Sequence, residues 1–365
     1  MKSCISLEGS FFKKMRIINI MLGEGLGGIE RSSIDYSESL KLQGADVLML
    51  TSPKASVNQL MFTGDQLTTD FALTHLQQRG SWDLWAARRL STIIQKYQAD
   101  AIITHGNRAL QLAHKAKVQN VPIIAVSHNY NVQHLSLADG VFCITNHMLQ
   151  FVRKTYPKFD EGNSFHVPNM LPYKLKWQAR HMHNPIRIGA IGRFVEKKGF
   201  AVFLKAVRRL YDEVGNDVPF EVWIAGDGEE RVKLEKLRRD LGLENIVRFC
   251  GWVKNTQDFY LEMDIFCLPS LDEPFGIVLL EAMVCALPVV ASKTVGSLEI
   301  ISHNQTGLLF EIGDANGMAS ALLELIHDRT KAISLSEAAH SHVIDNFSKD
   351  KIAQKIIYGV SSIIN

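Results

Sequence analysis

Two successive series of short apolar runs, each alternating with longer helical patterns, restrict this chain more than any other feature. The first opens with Arg16–Leu22, then a Gly-rich turn at 23–28 and a helical pattern over Ile29–Leu42. It continues through Asp46–Thr51, Ala101–Thr104, Ile123–Ser127 and Gly140–Thr145. Unbroken apolar runs of this length suit strands covered on both faces, and their alternation with helices predicts a parallel sheet. The second series runs through Ile186–Ile191, a helix at Phe200–Tyr211, Phe220–Ala225 and a charged helix at Glu229–Leu241. Val247–Cys250, Asp264–Leu268 and Pro288–Ala291 follow. Between the series, Pro168, Pro172 and Pro185 stand among Lys174, Lys176 and Arg180 and break the pattern. The expectation is an α/β protein of two doubly wound domains, 15–170 and 186–346, joined by a linker at 171–185. Ligands of such sheets bind outside the carboxyl ends of the strands, so a cleft between the two sets of strand ends is the expected site.

A length of 365 residues fits two domains, and 46% hydrophobic residues supply their cores. No run of about eighteen apolar residues suggests a membrane span. A net charge of +2 argues against a dedicated nucleic-acid binder. Cys4, Cys143, Cys250, Cys267 and Cys285 are scattered without a C-x-x-C pair and mostly sit in apolar runs. They read as reduced core residues of a cytoplasmic protein. Residues 1–14 lack the order of a signal peptide and are expected to be a disordered extension or a misassigned start.

The segment from Ser270 to Met283 carries the strongest chemical signal. Glu273 and Glu281 are separated by seven residues, and a loop after the strand Asp264–Leu268 becomes a helix between them. Carboxylates accept strong hydrogen bonds and suit hydroxyl-rich ligands such as sugars and ribose. Free backbone N–H groups of Phe275, Gly276 and Ile277 at the helix start would face an anion such as a diphosphate. Polyol and phosphate together suggest a nucleotide sugar.

Gly192 to Gly199 follows the first strand of the second series and holds Arg193 and Lys198, a rigid fork and a mobile point charge. They read as diphosphate ligands, against the plainer alternative of a solvated basic loop. Gly23, Gly25 and Gly28 match G-x-G-x-x-G, yet Leu50–Pro53 offers no acid for a dinucleotide ribose. Gly27-Gly28-Ile29-Glu30 still suits close approach to a phosphate or sugar, or simply a tight turn. His128, after the strand Ile123–Val126, could serve a substrate hydroxyl or be structural, and His105 is similarly placed. Trp82, Trp85, Arg88, Arg89, Ile93, Lys96 and Tyr97 share one helix. A membrane-interface helix is one reading. A core helix with its basic residues facing water is the plainer expectation.

Taken together, Gly27–Glu30, Gly192-Arg193 through Lys198-Gly199, Gly226-Asp227-Gly228 and the Glu273–Glu281 segment resemble family-four retaining glycosyltransferases. The resemblance runs from Met15 over nearly the whole chain, with one departure, where Val295–Glu299 replaces a common Gly-Gly-x-Pro-Glu. It implies the GT-B fold, two Rossmann-like domains facing across a cleft, with a final helix (347–365) returning to the first domain. It implies Arg193 and Lys198 on the diphosphate, Glu273 on the transferred sugar and Glu281 on the ribose. Gly27 and Gly28 would lie against the phosphates or sugar, His128 beside the sugar, and Val253 at the base. No D-x-D occurs in the chain, so neither a metal nor another cofactor is expected. The implied partners are a UDP- or GDP-sugar and a glycan or glycolipid acceptor, with lipopolysaccharide core synthesis as one setting. A nucleotide-sugar epimerase and an NAD-binding Rossmann protein are the alternatives. Lys13-Lys14, Arg88-Arg89, Lys115, Lys117 and Arg153-Lys154 suggest reversible contact with the inner leaflet through the first domain.

Overall fold

The computed structural model describes residues 14–364 except Leu26, Gly64, Asp65, Thr68, Ser81 and Asn216; at 62–63 and 66–67 only the backbone is described. The extension expected at 1–14 lies, apart from Lys14, outside the described residues. The chain forms two compact units. One takes the chain up to Ile144 with Met148–Val167 and Ala353–Asn365, and the other takes Thr145–His147 with Pro168–Ile352.

In the first unit, β1 (Arg16–Met21), α1 (Gly28–Leu42) and β2 (Asp46–Thr51) lead to a short antiparallel pair, β3 (Phe62–Thr63) and β4 (Gln66–Leu67). Then come β5 (Ala72–His75), α2 (Leu84–Tyr97), β6 (Ala101–His105), α3 (Asn107–Lys115), β7 (Ile123–Ser127), β8 (Gly140–Cys143), α4 (Asn146–Thr155) and β9 (Ser164–His166). The main sheet is parallel, in the order β5-β2-β1-β6-β7-β8-β9. Ile17, Ile18 and Ile20 of β1 are wholly buried because helices cover both faces of a parallel sheet. The polar exception in β1, Asn19, donates to the Ser33 carbonyl (2.7 Å) and the Ser37 hydroxyl (2.8 Å) of α1. The small buried serines of α1 let it lie close to the strands, their hydroxyls bonding carbonyls one turn back.

The second unit repeats the scheme with β10 (Ile186–Ile191), α5 (Phe200–Val214), β11 (Phe220–Ala225), α6 (Arg231–Asp240), β12 (Val247–Gly251) and α7 (Thr256–Leu261). β13 (Ile265–Leu268), α8 (Ile277–Val284), β14 (Val289–Ser292), α9 (Val295–Ile300), β15 (Leu308–Phe310), α10 (Ala315–His327), α11 (Arg329–Phe347) and α12 (Lys349–Ile364) complete it. Its sheet order is β12-β11-β10-β13-β14-β15, all parallel. Phe203, Val207 and Leu210 of α5 join Leu322 and Leu325 of α10 in one buried cluster. From Ala353 onward α12 belongs to the first unit, where the Tyr358 ring meets Phe165 at 5.9 Å.

Residues 171–185, expected as a linker, hold no helix or strand but lie against the second unit. Arg180 donates to the carbonyls of Tyr260 (3.1 Å) and Leu261. The buried Asp264 carboxylate accepts the backbone N–H of His183 (3.1 Å) and of Arg187 (2.8 Å), with the His183 ring at 2.9 Å. One carboxylate therefore fixes where the segment ends and β10 begins. Orphaning a buried donor costs about 1–3 kcal/mol. Asp264→Ala is expected to lower the denaturant midpoint and speed proteolytic cleavage within 171–185. Asp264→Asn, which keeps one acceptor oxygen, should do so less, and equal effects would show that the hydrogen bonds are not what holds the segment.

Candidate active site

Three loops leaving the adjacent parallel strands β11, β10 and β13 are laced together at the carboxyl edge of the second sheet. The backbone N–H of Phe194 donates to the Asp227 carbonyl (2.9 Å), and the Phe194 carbonyl accepts from Glu230 N–H (2.9 Å). Its buried ring packs edge-on against Phe200 and Phe249. On the other side, the N–H groups of Leu271 and Asp272 both donate to the Lys197 carbonyl (2.7 and 3.2 Å). Gly199, with φ of +69°, sits where a Cβ would run into the Pro269 carbonyl, so a side chain there would push the two loops apart.

This edge includes the point where strand order reverses, β11 and β12 lying to one side of β10 and β13 to β15 to the other. Across the reversal the Lys198 ammonium meets the Glu273 carboxylate at 2.5 Å. Glu273 is 9% exposed, and the Ser270 hydroxyl donates to the same oxygen at 3.4 Å. Arg193, on the Lys198 loop, is exposed, and its guanidinium has no hydrogen-bond or ion-pair partner among the described residues. Phe275 is buried, Gly276 opens α8 with φ of +95°, and Ile277 is the first helical residue. Glu281 lies one turn further on and takes a hydrogen bond from the wholly buried Tyr260 hydroxyl (2.8 Å). Burial, reinforced by Glu281, raises the Tyr260 phenol well above its ordinary pKa and keeps it a neutral donor. Val253 lies in the loop after the edge strand β12, and Gly226 N–H donates to the Gly251 carbonyl (2.7 Å), tying that strand end to the β11 loop.

In the first unit, Gly27 and Gly28 open α1, and the Glu30 carboxylate folds back against Gly23 and Gly27. His128 lines a cavity of about 260 Å³ with Ile29, Thr104, Gly106, Asn107 and Asn129. Its Nε2 lies 2.9 Å from Nδ1 of His105, with the rings stacked at 5.2 Å. The Tyr36 ring meets His105 edge-on at 5.0 Å. Sequence reading placed the two histidines at neighbouring strand ends but gave no sign of their direct contact. The partnership of Tyr260 with Glu281 and the support of Glu273 by Ser270 also had no signal in the sequence beyond proximity to the motif.

Burial holds His128 down to about 4, and burial together with His128 holds His105 well below its ordinary 6.5. Both imidazoles are neutral near pH 7 and share one proton across the contact. Below about 6.5 the unfolded chain takes up protons that the folded pair refuses, so stability is complete above that pH and declines toward about pH 4. Denaturant midpoints at about pH 7.5, 6 and 5 should fall for the native chain and fall less for His128→Phe. Parallel pH curves would show that the pair is not the titrating element.

Two family models match the chain almost end to end: Glycosyltransferase Family 4 over residues 26–172 and Glycosyl transferases group 1 over residues 174–342. The lipopolysaccharide core biosynthesis glycosyltransferase LpsE of Rhizobium meliloti is 36% identical over 47% of this chain and 49% of its own length, about half of that protein. LpsD of the same organism is 27% identical over 93% of this chain and 96% of its own. Among solved structures, Anabaena HepE in complex with UDP and glucose superposes with a TM-score of 0.77 at 19% identity, covering 95% of this chain and 100% of that one. That likeness is one of fold, GT-B. The matched models and relatives are transferases, which leaves the epimerase and NAD-binding readings without support. With its two doubly wound sheets and its motif loops at the strand ends, the chain belongs to the family-four, group 1 glycosyltransferases.

Proposed function

We propose that this glycosyltransferase moves a hexose from a UDP- or GDP-sugar to a glycan or lipid-linked acceptor, with retention at the anomeric carbon. The setting proposed is lipopolysaccharide core synthesis, on the cytoplasmic side and in reversible contact with the inner leaflet. The observation that carries the reading is the Lys198–Glu273 contact at the strand-order reversal, beside the exposed Arg193 and the opening of α8. The names of LpsE and LpsD support the setting, and the UDP held by HepE supports the donor class.

In this reading Arg193 and Lys198 hold the diphosphate, with the N–H groups of Phe275, Gly276 and Ile277 nearby. Glu273 accepts from hydroxyls of the transferred sugar, Glu281 from the ribose, and Val253 meets the base. Gly27 and Gly28 approach the phosphates or sugar, and His128 the sugar. As the bond from the anomeric carbon to the diphosphate oxygen breaks, its electron pair passes to the diphosphate. Fixed positive charge and N–H dipoles stabilise what develops there. The acceptor oxygen bonds to the same face of the carbon, and its proton passes to the departing phosphate. No D-x-D is present, and the two cations take the part that a divalent ion plays elsewhere.

Removing one such group costs about 10²–10³ in turnover. Glu273→Gln and Lys198→Ala should each lose at least that much in nucleotide release from a donor and acceptor pair. Lys198→Ala leaves the buried Glu273 unpaired, which by itself threatens the fold. The double variant Lys198→Ala, Glu273→Gln removes that strain, and near-native turnover in it would sink the assignment. Activity is also expected to survive excess EDTA. Complete loss that manganese or magnesium restores would overturn the metal-independent account.

A further inference from the structure

α2 has the core face and the exposed basic residues expected of it, but the large apolar residues at and just before its start lie outside the core. Its buried face is Ala86, Ala87, Leu90 and Ile94. Trp82, Leu84 and Trp85 stand outside it, 83%, 72% and 77% exposed. Single exposed apolar residues are common on protein surfaces. Two tryptophans and a leucine within four residues, all nearly bare, are a patch with something to cover it.

The charge around the patch has one sign. Between Asp83 and Asp139 the chain carries Arg88, Arg89, Lys96, Arg108, Lys115 and Lys117 against a single acid, Asp100. Asp100 is engaged elsewhere, accepting the backbone N–H of Arg16 at 2.8 Å. Asp83 is the one acid within the patch and is engaged as the helix cap, accepting from Ala86 N–H (2.9 Å) and Arg79 N–H (3.0 Å). Arg88 and Arg89 follow Trp85 by three and four residues, so they share its helix face; both are exposed, Arg89 also donating to the Gln77 carbonyl at 3.1 Å. The end of α3 joins them, with the Lys115 ammonium 4.0 Å above the Trp82 ring. Of the other basic residues suggested for this contact, Lys154 is exposed at the end of α4, and three drop out. Lys14 is paired with Asp46 (2.9 Å), Arg153 is spent on Ser164 (2.8 and 3.0 Å), and Lys13 lies outside the described residues.

We infer that Trp82, Leu84 and Trp85, flanked by Arg88, Arg89 and Lys115, form a docking surface for an anionic phospholipid bilayer. Tryptophan sits at the headgroup level, with its ring in the apolar boundary and its N–H in the wet layer, while arginine and lysine meet lipid phosphates. No helix among the described residues is long and apolar enough to cross a membrane, so the attachment is a surface one. The inference deepens the proposed inner-leaflet contact by assigning it to one patch, and it needs no acceptor to be tested.

The test is sedimentation of the full chain with phosphatidylcholine vesicles containing or lacking phosphatidylglycerol, at about 0.1 M and about 1 M salt. Binding is expected with the anionic vesicles at low salt and to fall at high salt. Each cation is worth about fivefold in affinity near such a surface, so Arg88→Gln should weaken binding by about that factor. Trp82→Ser combined with Trp85→Ser should weaken it at least about tenfold and remove the blue shift in tryptophan emission on vesicle addition. Absence of binding, equal binding to neutral vesicles, or unchanged binding by the double variant overturns the inference. So does a dimer in solution that the double variant dissolves, because the patch would then cover itself. Thermal shift with UDP- and GDP-sugars on the same samples should be unaffected by the tryptophan changes. Its absence in the native chain would count against the transferase reading and leave the vesicle result standing.

Discussion

The ion pair between Lys198 and Glu273 organises the carboxyl edge of the second sheet. A carboxylate as enclosed as Glu273 loses several kcal/mol of hydration, and without its cation it would open the loop. The pair is held by backbone as well as charge, since the residue before Lys198 accepts two N–H groups from the Glu273 loop. Positions of the two side chains are thus set by the strands beneath, β10 and β13, which are neighbours in the sheet. An ammonium has three N–H groups, and the contact with Glu273 uses one. In the proposed reading the others face the donor diphosphate and need little reorganisation. Glu273 keeps lone pairs for hydroxyl groups at the same spot. A single contact therefore places an N–H donor and a carboxylate acceptor side by side.

Most of the architecture was legible in the sequence because most strands are buried on both faces and read as unbroken apolar runs. The exceptions follow from the same physics. β5, reading Ala-Leu-Thr-His, is an edge strand whose side chains are partly exposed, so it shows no apolar run. β9 and β15 have three residues each and also sit at sheet edges. Local reading found the loops at 192–199 and 270–276 because charge, glycine and proline concentrate there after clear strands. It could not find Tyr260, which reaches Glu281 across 21 positions only because α7 and α8 pack together. Trp82 and Trp85 were expected on one helix, but Trp82 precedes α2 and both rings stand exposed. Large apolar residues ordinarily point inward, but here small alanines occupy the core face, and the aromatic rings sit where the helix begins.

The local departure from the family pattern, Val295-Gly296-Ser297-Leu298-Glu299, is anchored to the Glu273 loop by its own contacts. Thr294 caps α9, its hydroxyl accepting from Ser297 N–H at 3.3 Å and lying 2.9 Å from the Ser297 hydroxyl. A side-chain cap fixes where a helix begins without help from proline in its first turns. Gly296 is retained where a Cβ would collide with the Phe275 carbonyl, and its N–H donates to the Glu273 carbonyl at 3.0 Å. The glycine thus lets α9 touch the loop that carries Glu273, and the contact is made through backbone. What the site requires from this segment is an absent side chain and one N–H. Leu298, 57% exposed, occupies the place of the usual proline and leaves both intact.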